Sequence, residues 1–176
     1  MKSIFDKVSQ DCSKNVTNSY STSFSLATKM LSKNIRQDIY NIYGFVRFAD
    51  EIVDSFHDYN KKELLNRFID ELNYSLKNQI STNPILNSFQ STVNKYNIGH
   101  DLIDSFLKSM KMDLKKVKYN SEKEYEEYIY GSADVVGLMC LKVFLSGSEK
   151  NFKKLKPNAM ALGSAFQKVN FLRDLN

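Results

Sequence analysis

Tyr43, Arg47, Asp50 and Asp54 are spaced so that an α-helix would gather them on one stripe. At ~100° per residue, and counting from Tyr40, the four fall within an arc of roughly 80°. Ile35, Ile39, Ile42, Val46, Ala49, Ile52, Val53 and Phe56 fill the adjoining and opposite faces. A helix that is apolar around most of its circumference belongs inside a fold, and carboxylates carried there must be paired or coordinate a cation. Two carboxylates at i and i+4 suit a hard cation such as magnesium, which takes a few carboxylate oxygens and leaves positions for water and substrate phosphate. Glu51 stands a full step around the helix from Asp50 and is the poorer ligand. The competing reading is a solvent-facing stripe carrying an Arg47–Asp50 or Arg47–Asp54 salt bridge. DxxxD recurs by chance on helical surfaces, so other elements must decide.

A second constellation lies near the end of the chain. Gln167, Asn170 and Asp174 share a helix face at i, i+3 and i+7, with Arg173 beside them and Leu162, Phe166, Val169 and Leu172 available for apolar contacts. This second polar face matches the first, as two walls of one cavity would. Between them, Gly131, Ser132, Ala133 and Gly137 interrupt an apolar run. Each Gly in a helix costs about 0.5–1 kcal/mol relative to Ala. These small residues serve either close helix packing or room for a bulky ligand, and the sequence leaves both open.

The elements that position these residues follow from the helix punctuation. Ser32 caps a helix expected over 34–56. Asn83-Pro84 pairs a capping residue with Pro at the first helical position. Gly99 is expected to end the helix after it, and 101–117 reads as amphipathic. Ser121 to Glu124 forms a capping box for a helix running past Gly137. Pro157 is expected to open the last helix. No period-two alternation is sustained, so the fold class is all-α, in one domain over 1–176.

Composition narrows the function. The 176 residues carry 25 Lys+Arg and 20 Asp+Glu, a net charge of +5, with 42% hydrophobic and 26% charged residues. Those are globular proportions. Lys61-Lys62, Lys115-Lys116 and Lys153-Lys154 sit in separate segments beside acidic residues, so the charge reads as solvated helix faces and no nucleic-acid partner is expected. A mildly basic surface also suits an anionic substrate or membrane surface. Cys12 and Cys140 supply neither a disulfide framework nor, with His57 and His100, a zinc site. A di-iron bundle needs paired ExxH motifs, and only Asp54-Ser55-Phe56-His57 comes near. The most apolar stretch, 135–145, contains Lys142 and falls short of the ~20 residues of a membrane span. The N-terminus has no apolar signal region. A cytoplasmic location, with peripheral membrane contact compatible, is expected.

Residues 42–54 resemble the first aspartate-rich motif of the squalene/phytoene synthase family. Residues 128–137 resemble its YxYxxAxxVG segment, and Gln167, Asn170, Arg173 and Asp174 resemble the start of its QxxNxxRDxxxD helix. Ser21-Thr22-Ser23-Phe24-Ser25 is similar to its SxSF stretch. The resemblance implies an isoprenoid-synthase-type helical bundle joining two farnesyl or geranylgeranyl diphosphates head to head, through a cyclopropyl diphosphate, to a squalene-, dehydrosqualene- or phytoene-type hydrocarbon. It implies that Asp50, Asp54 and Asp174 hold Mg2+, that Arg47 and Arg173 bind diphosphate oxygens, and that Tyr43 and Tyr128 lie near the reacting carbons. Tyr20, Phe24, Ala133, Gly137, Gln167 and Asn170 would contact or shape the space around substrate. Whether NADPH reduces the final intermediate stays open.

The sequence departs from that pattern in three places. Tyr20 stands where many members carry His, Asp134 occupies a position that is usually small, and Asn176 precedes the second Asp of RDxxxD. The expectation is therefore a bundle lacking its C-terminal helices, representing the N-terminal larger part of a family member and inactive alone. The alternative function is a non-catalytic helical module that binds a prenyl lipid or a partner protein.

Overall fold

The computed structural model describes residues 1–114 and 121–173, which are helical with no strand among them. They form two compact units, 1–97 and 98–176. The first holds α1 (Lys2–Tyr20), α2 (Thr22–Met30), α3 (Lys33–Asp54), α4 (Lys61–Asn78) and α5 (Pro84–Tyr96). The second holds α6 (His100–Asp113), α7 (Glu122–Ile129), a π turn (Tyr130–Asp134), α8 (Val135–Phe144) and α9 (Glu149–Arg173). No helix among the described residues is long and apolar enough to cross a membrane.

In the first unit α3 is the central rod, packed by α1, α4 and α5. Phe45 is fully buried and stacks on Phe89 of α5, ring centroids 3.9 Å apart, with Phe68 of α4 at 5.9 Å. The α1 contact is made of small polar residues. Ser9, Ser13 and Thr17 recur at i+4 and are all 0% exposed. Ser9 and Thr17 hydroxyls donate to backbone carbonyls one turn back, which satisfies them inside the helix. Ser13 shares a 2.7 Å hydrogen bond with Ser88 of α5. On the far side, the carboxylate of Asp38 accepts from Thr92, Lys95 and Tyr96, at 3.1, 2.8 and 2.8 Å, which satisfies an otherwise costly buried charge.

Gly44 is where α1 comes nearest to α3. A Cβ there would lie 2.9 Å from Ser13 Oγ and 3.2 Å from its Cα. Gly44→Ala should gain ~1 kcal/mol of helix propensity and lose ~1–3 kcal/mol to overpacking. A net loss of about 1 kcal/mol in urea unfolding is expected, and a more stable variant would refute the close approach.

The capping signals place most boundaries. Asn83 Oδ1 accepts from Ile85 and Leu86 N–H ahead of Pro84, and Ser121 Oγ accepts from Glu124 N–H. Two expectations need correction. Asn97, with φ 51°, ends α5, whereas Gly99 has φ −64° and precedes α6. Asn tolerates the left-handed conformation, so the glycine is not required there. α9 begins at Glu149 rather than at Pro157, which lies inside it. Ser146 and Gly147, with φ 50° and 77°, reverse the chain after α8, and the Ser148 carbonyl then accepts from Phe152 N–H. Pro157 costs α9 one backbone hydrogen bond.

Candidate functional site

On α3 the stripe forms as its spacing requires, and it faces outward from the core. Tyr43, Arg47 and Asp50 are half-buried, and Asp54, the last residue of the helix, is exposed. Arg47 takes as its partner Glu51, a residue that the competing salt-bridge reading does not name. Its Nη2 donates to Glu51 four residues on, the two side chains 26% and 18% exposed. Glu51 is a poor neighbour of Asp50 but lies only ~40° around the helix from Arg47, an i,i+4 partner.

The corner between α1 and α2 reaches this stripe three times. The Tyr20 ring lies 4.5 Å from the Arg47 guanidinium carbon. Ser21 Oγ accepts from Phe24 N–H at 3.2 Å, capping α2, and the same hydroxyl is near enough to Tyr43 to draw its pKa down. The Phe24 ring stacks on Tyr43 at 4.7 Å and 23°. Tyr43 and Arg47, one turn apart, are thus held from the side by successive residues of another element. Ser21 was legible in sequence only as part of the SxSF stretch, because its contact to α3 is tertiary.

Electrostatics differ along the stripe. Burial pushes the Tyr43 hydroxyl above its ordinary value, opposed by the Ser21 hydroxyl and by the charge of Arg47. Partial loss of solvent raises the Asp54 carboxyl, opposed by Arg47 and Lys61. Lys61 Nζ donates to the Val53 carbonyl at 2.7 Å and lies 3.0 Å from His57 Nδ1, so it closes the C-terminal end of α3 with the positive charge that end favours. Among the described residues, no three His, Cys, Asp or Glu side chains gather as a metal site. Asp50 and Asp54 supply two hard oxygen donors on successive turns, a set that suits magnesium when phosphate and water complete the shell.

In the second unit, the Tyr128 hydroxyl donates to Asp113 Oδ2 at 3.3 Å. Of the small residues after it, Gly131 takes the packing role, one of the two left open by sequence. A Cβ at Gly131 would lie 2.6 Å from the Ser105 carbonyl oxygen and 2.8 Å from Ser109 Cβ, so Gly131 serves packing against α6. At Gly137 the nearest atom is the Ala159 carbonyl oxygen at 3.4 Å, an ordinary contact. Ala133, Gly137, Gln167 and Asn170 are half-buried. Leu162, Phe166, Val169 and Leu172 do not supply the expected apolar contacts, being 60%, 64%, 60% and 65% exposed. Arg173 ends α9, while Asp174, and with it the expected meeting of Asp174 with Asp50 and Asp54, lies outside the described residues.

Asp134 has a structural task. It closes the π turn, is 5% exposed, and accepts from Ser164 Oγ of α9 at 2.8 Å. Burial raises its carboxyl, opposed by Ser164. A raised folded-state value means that the folded chain favours the protonated acid. The associated stability is present below the ordinary value of 3.8 and is lost as pH rises through the raised value. Asp134→Asn keeps the acceptor and removes the charge. Its melting temperature should exceed the wild type's at pH 7, with the gap closing towards pH 3.5. A gap that widens on acidification would contradict the assignment.

Residues 17–176 match the family model described as squalene/phytoene synthase. Phytoene synthase 1 of Zea mays is 27% identical over 99% of this chain and 42% of its own length. Phytoene synthase 2 of Solanum lycopersicum is 27% identical over 97% of this chain and 54% of its own. The chain thus spans about half, or less, of the curated relatives it matches. A dehydrosqualene synthase structure aligns with TM-score 0.83 and 23% identity, covering 96% of this chain and 57% of that one. A squalene synthase structure from Alicyclobacillus acidocaldarius aligns with TM-score 0.84 and 21% identity, covering 98% and 64%. These structural likenesses show that the fold is shared.

Proposed function

The chain belongs to the squalene/phytoene synthase family, and we propose that it carries the diphosphate-handling part of an enzyme that condenses two prenyl diphosphates head to head. The observation that carries this reading is the α3 stripe: two carboxylates one turn apart, with a half-buried guanidinium and phenol one and two turns before them. Asp50 and Asp54 would hold magnesium, with Asp174 as a third ligand. Bound there, the metal would neutralise charge on a departing diphosphate.

The side chains divide the remaining work. Arg47 offers N–H donors to phosphate oxygens in a planar fork, and Arg173 is assigned the same task. Tyr43 and Tyr128 would lie near the reacting carbons, where an aromatic ring favours a carbocation. Gln167 and Asn170 would orient substrate on α9. Phe24, Ala133 and Gly137 would shape an apolar space that keeps water from the cation. The first product would be a cyclopropyl diphosphate, ionised again and rearranged to a hydrocarbon. Farnesyl or geranylgeranyl diphosphate is the proposed substrate class, handled in the cytoplasm or at a membrane surface.

The test is incubation of the complete protein with each diphosphate, with and without a divalent cation and with and without NADPH, followed by identification of the hydrocarbon. Product only in the presence of the cation is expected, and the NADPH arm decides whether the last step is reductive. Thermal stabilisation by magnesium and a diphosphate analogue without turnover would replace catalysis by the binding-module reading. Cation-independent product would overturn the role given to Asp50 and Asp54.

A further inference from the structure

Arg47 is held in a way that its assigned task does not by itself require. The Arg47 guanidinium carbon lies over the Tyr20 ring, 4.5 Å from its centroid, and Glu51 accepts a hydrogen bond from Nη2. Its Nε is buried with no hydrogen-bond partner. An unsatisfied buried donor is costly, so the surrounding contacts must hold the side chain there against that cost. The Arg47–Glu51 pair is only 26% and 18% exposed, so water screens it less than the pairs on α1, whose side chains are 38–66% exposed. The two holding groups come from different elements, Tyr20 from the end of α1 and Glu51 from α3 itself. An ion pair along a helix fixes the azimuth of the guanidinium, and a ring against its face fixes the plane. Together they determine which edge of the fork is presented.

We propose that Glu51 and Tyr20 are positioning residues for Arg47, presetting the plane and edge that its guanidinium offers to a diphosphate. The proposal rests on the reading of α3 as a metal–diphosphate site and adds to it two residues that act through another. It also changes what Tyr20 is for: its ring, a platform under Arg47, matters, and its hydroxyl does not. Glu51 likewise serves as the counter-anion of Arg47 rather than as a metal ligand. The gain is entropic, because an arginine already held in its binding geometry loses less rotamer freedom when phosphate arrives.

The test is a double-mutant cycle read as the affinity of the 176-residue chain for inorganic pyrophosphate with magnesium, by calorimetry. Glu51→Gln, isosteric and uncharged, should weaken binding about tenfold in the wild-type background. It should change little in an Arg47→Gln background, since there is no guanidinium left to position. Tyr20→Ala should lose several-fold, and Tyr20→Phe, which keeps the ring, should lose clearly less than Tyr20→Ala. Glu51→Asp should recover part of the Glu51→Gln loss. Melting temperatures taken alongside separate weakened binding from unfolding. An equal loss for Glu51→Gln in both backgrounds, or Tyr20→Phe as damaging as Tyr20→Ala, would overturn the positioning role while leaving the metal–diphosphate reading intact. No magnesium-dependent pyrophosphate binding by the wild-type chain would overturn that reading, and the inference with it.

Discussion

In the complete enzyme, Asp50→Ala should remove cation-dependent turnover of prenyl diphosphate, by about a thousandfold or more, while the protein stays folded. A metal on a leaving diphosphate supplies several kcal/mol, and at 1.36 kcal/mol per tenfold a loss of ~4 kcal/mol is about 10³ in rate. Asp54→Asn sharpens the expectation. Partial desolvation raises the Asp54 carboxyl above its ordinary value, against the pull of Arg47 and Lys61. For an acid with a raised folded-state value, the stabilising proton is bound at low pH and lost as pH rises, so the charged form weighs against the fold at neutral pH. Removing that charge should leave stability unchanged or slightly higher while activity collapses. A structural carboxylate would behave oppositely, losing stability when neutralised. Turnover within tenfold of wild type in either variant, at saturating magnesium, would sink the assignment of the α3 carboxylates.

The all-α fold and this stripe were legible because both depend on local regularities. The 3.6-residue period alone places Tyr43, Arg47, Asp50 and Asp54 together, whatever packs around them. Asn83-Pro84 and Ser121 to Glu124 act through bonds within four residues, and both signals mark real helix starts. Two boundaries differ because Asn97 adopts the left-handed conformation that ends α5 without a glycine, and because Pro157 is tolerated inside a helix that packing already holds. Tertiary partners were not legible. Ser9, Ser13 and Thr17 carry no apolar signal, yet they form the buried face of α1, since small side chains that bond their own backbone allow close approach. Glu51 is the neighbour of Asp50 in sequence but of Arg47 on the helix, and the helical relation sets its partner. The corner residues Tyr20 and Ser21 reveal their contacts only once α1 and α2 fold back along α3.

Phe45→Ala should cost the first unit about 3–5 kcal/mol, the range for removing a fully buried phenylalanine. Phe45 is two residues before Arg47, roughly 200° around α3, and so points into the core opposite the stripe. It is 0% exposed and lies between Phe89, stacked at 3.9 Å and 8°, and Phe68 at 5.9 Å. One side chain therefore joins α3 to both α4 and α5, and truncating it removes dispersion contacts on two sides at once. Against a typical total of 5–15 kcal/mol, that loss should move the urea midpoint sharply at an unchanged slope. Phe45→Leu keeps most of the volume and should cost less than half as much. The consequence reaches the site, because the stripe is only as well placed as the rod that carries it. Phe45→Ala should also weaken magnesium–pyrophosphate binding near its melting range, whereas Phe45→Leu should not. A cost below ~1 kcal/mol for Phe45→Ala would mean that the three-helix aromatic contact does not hold α3 in place.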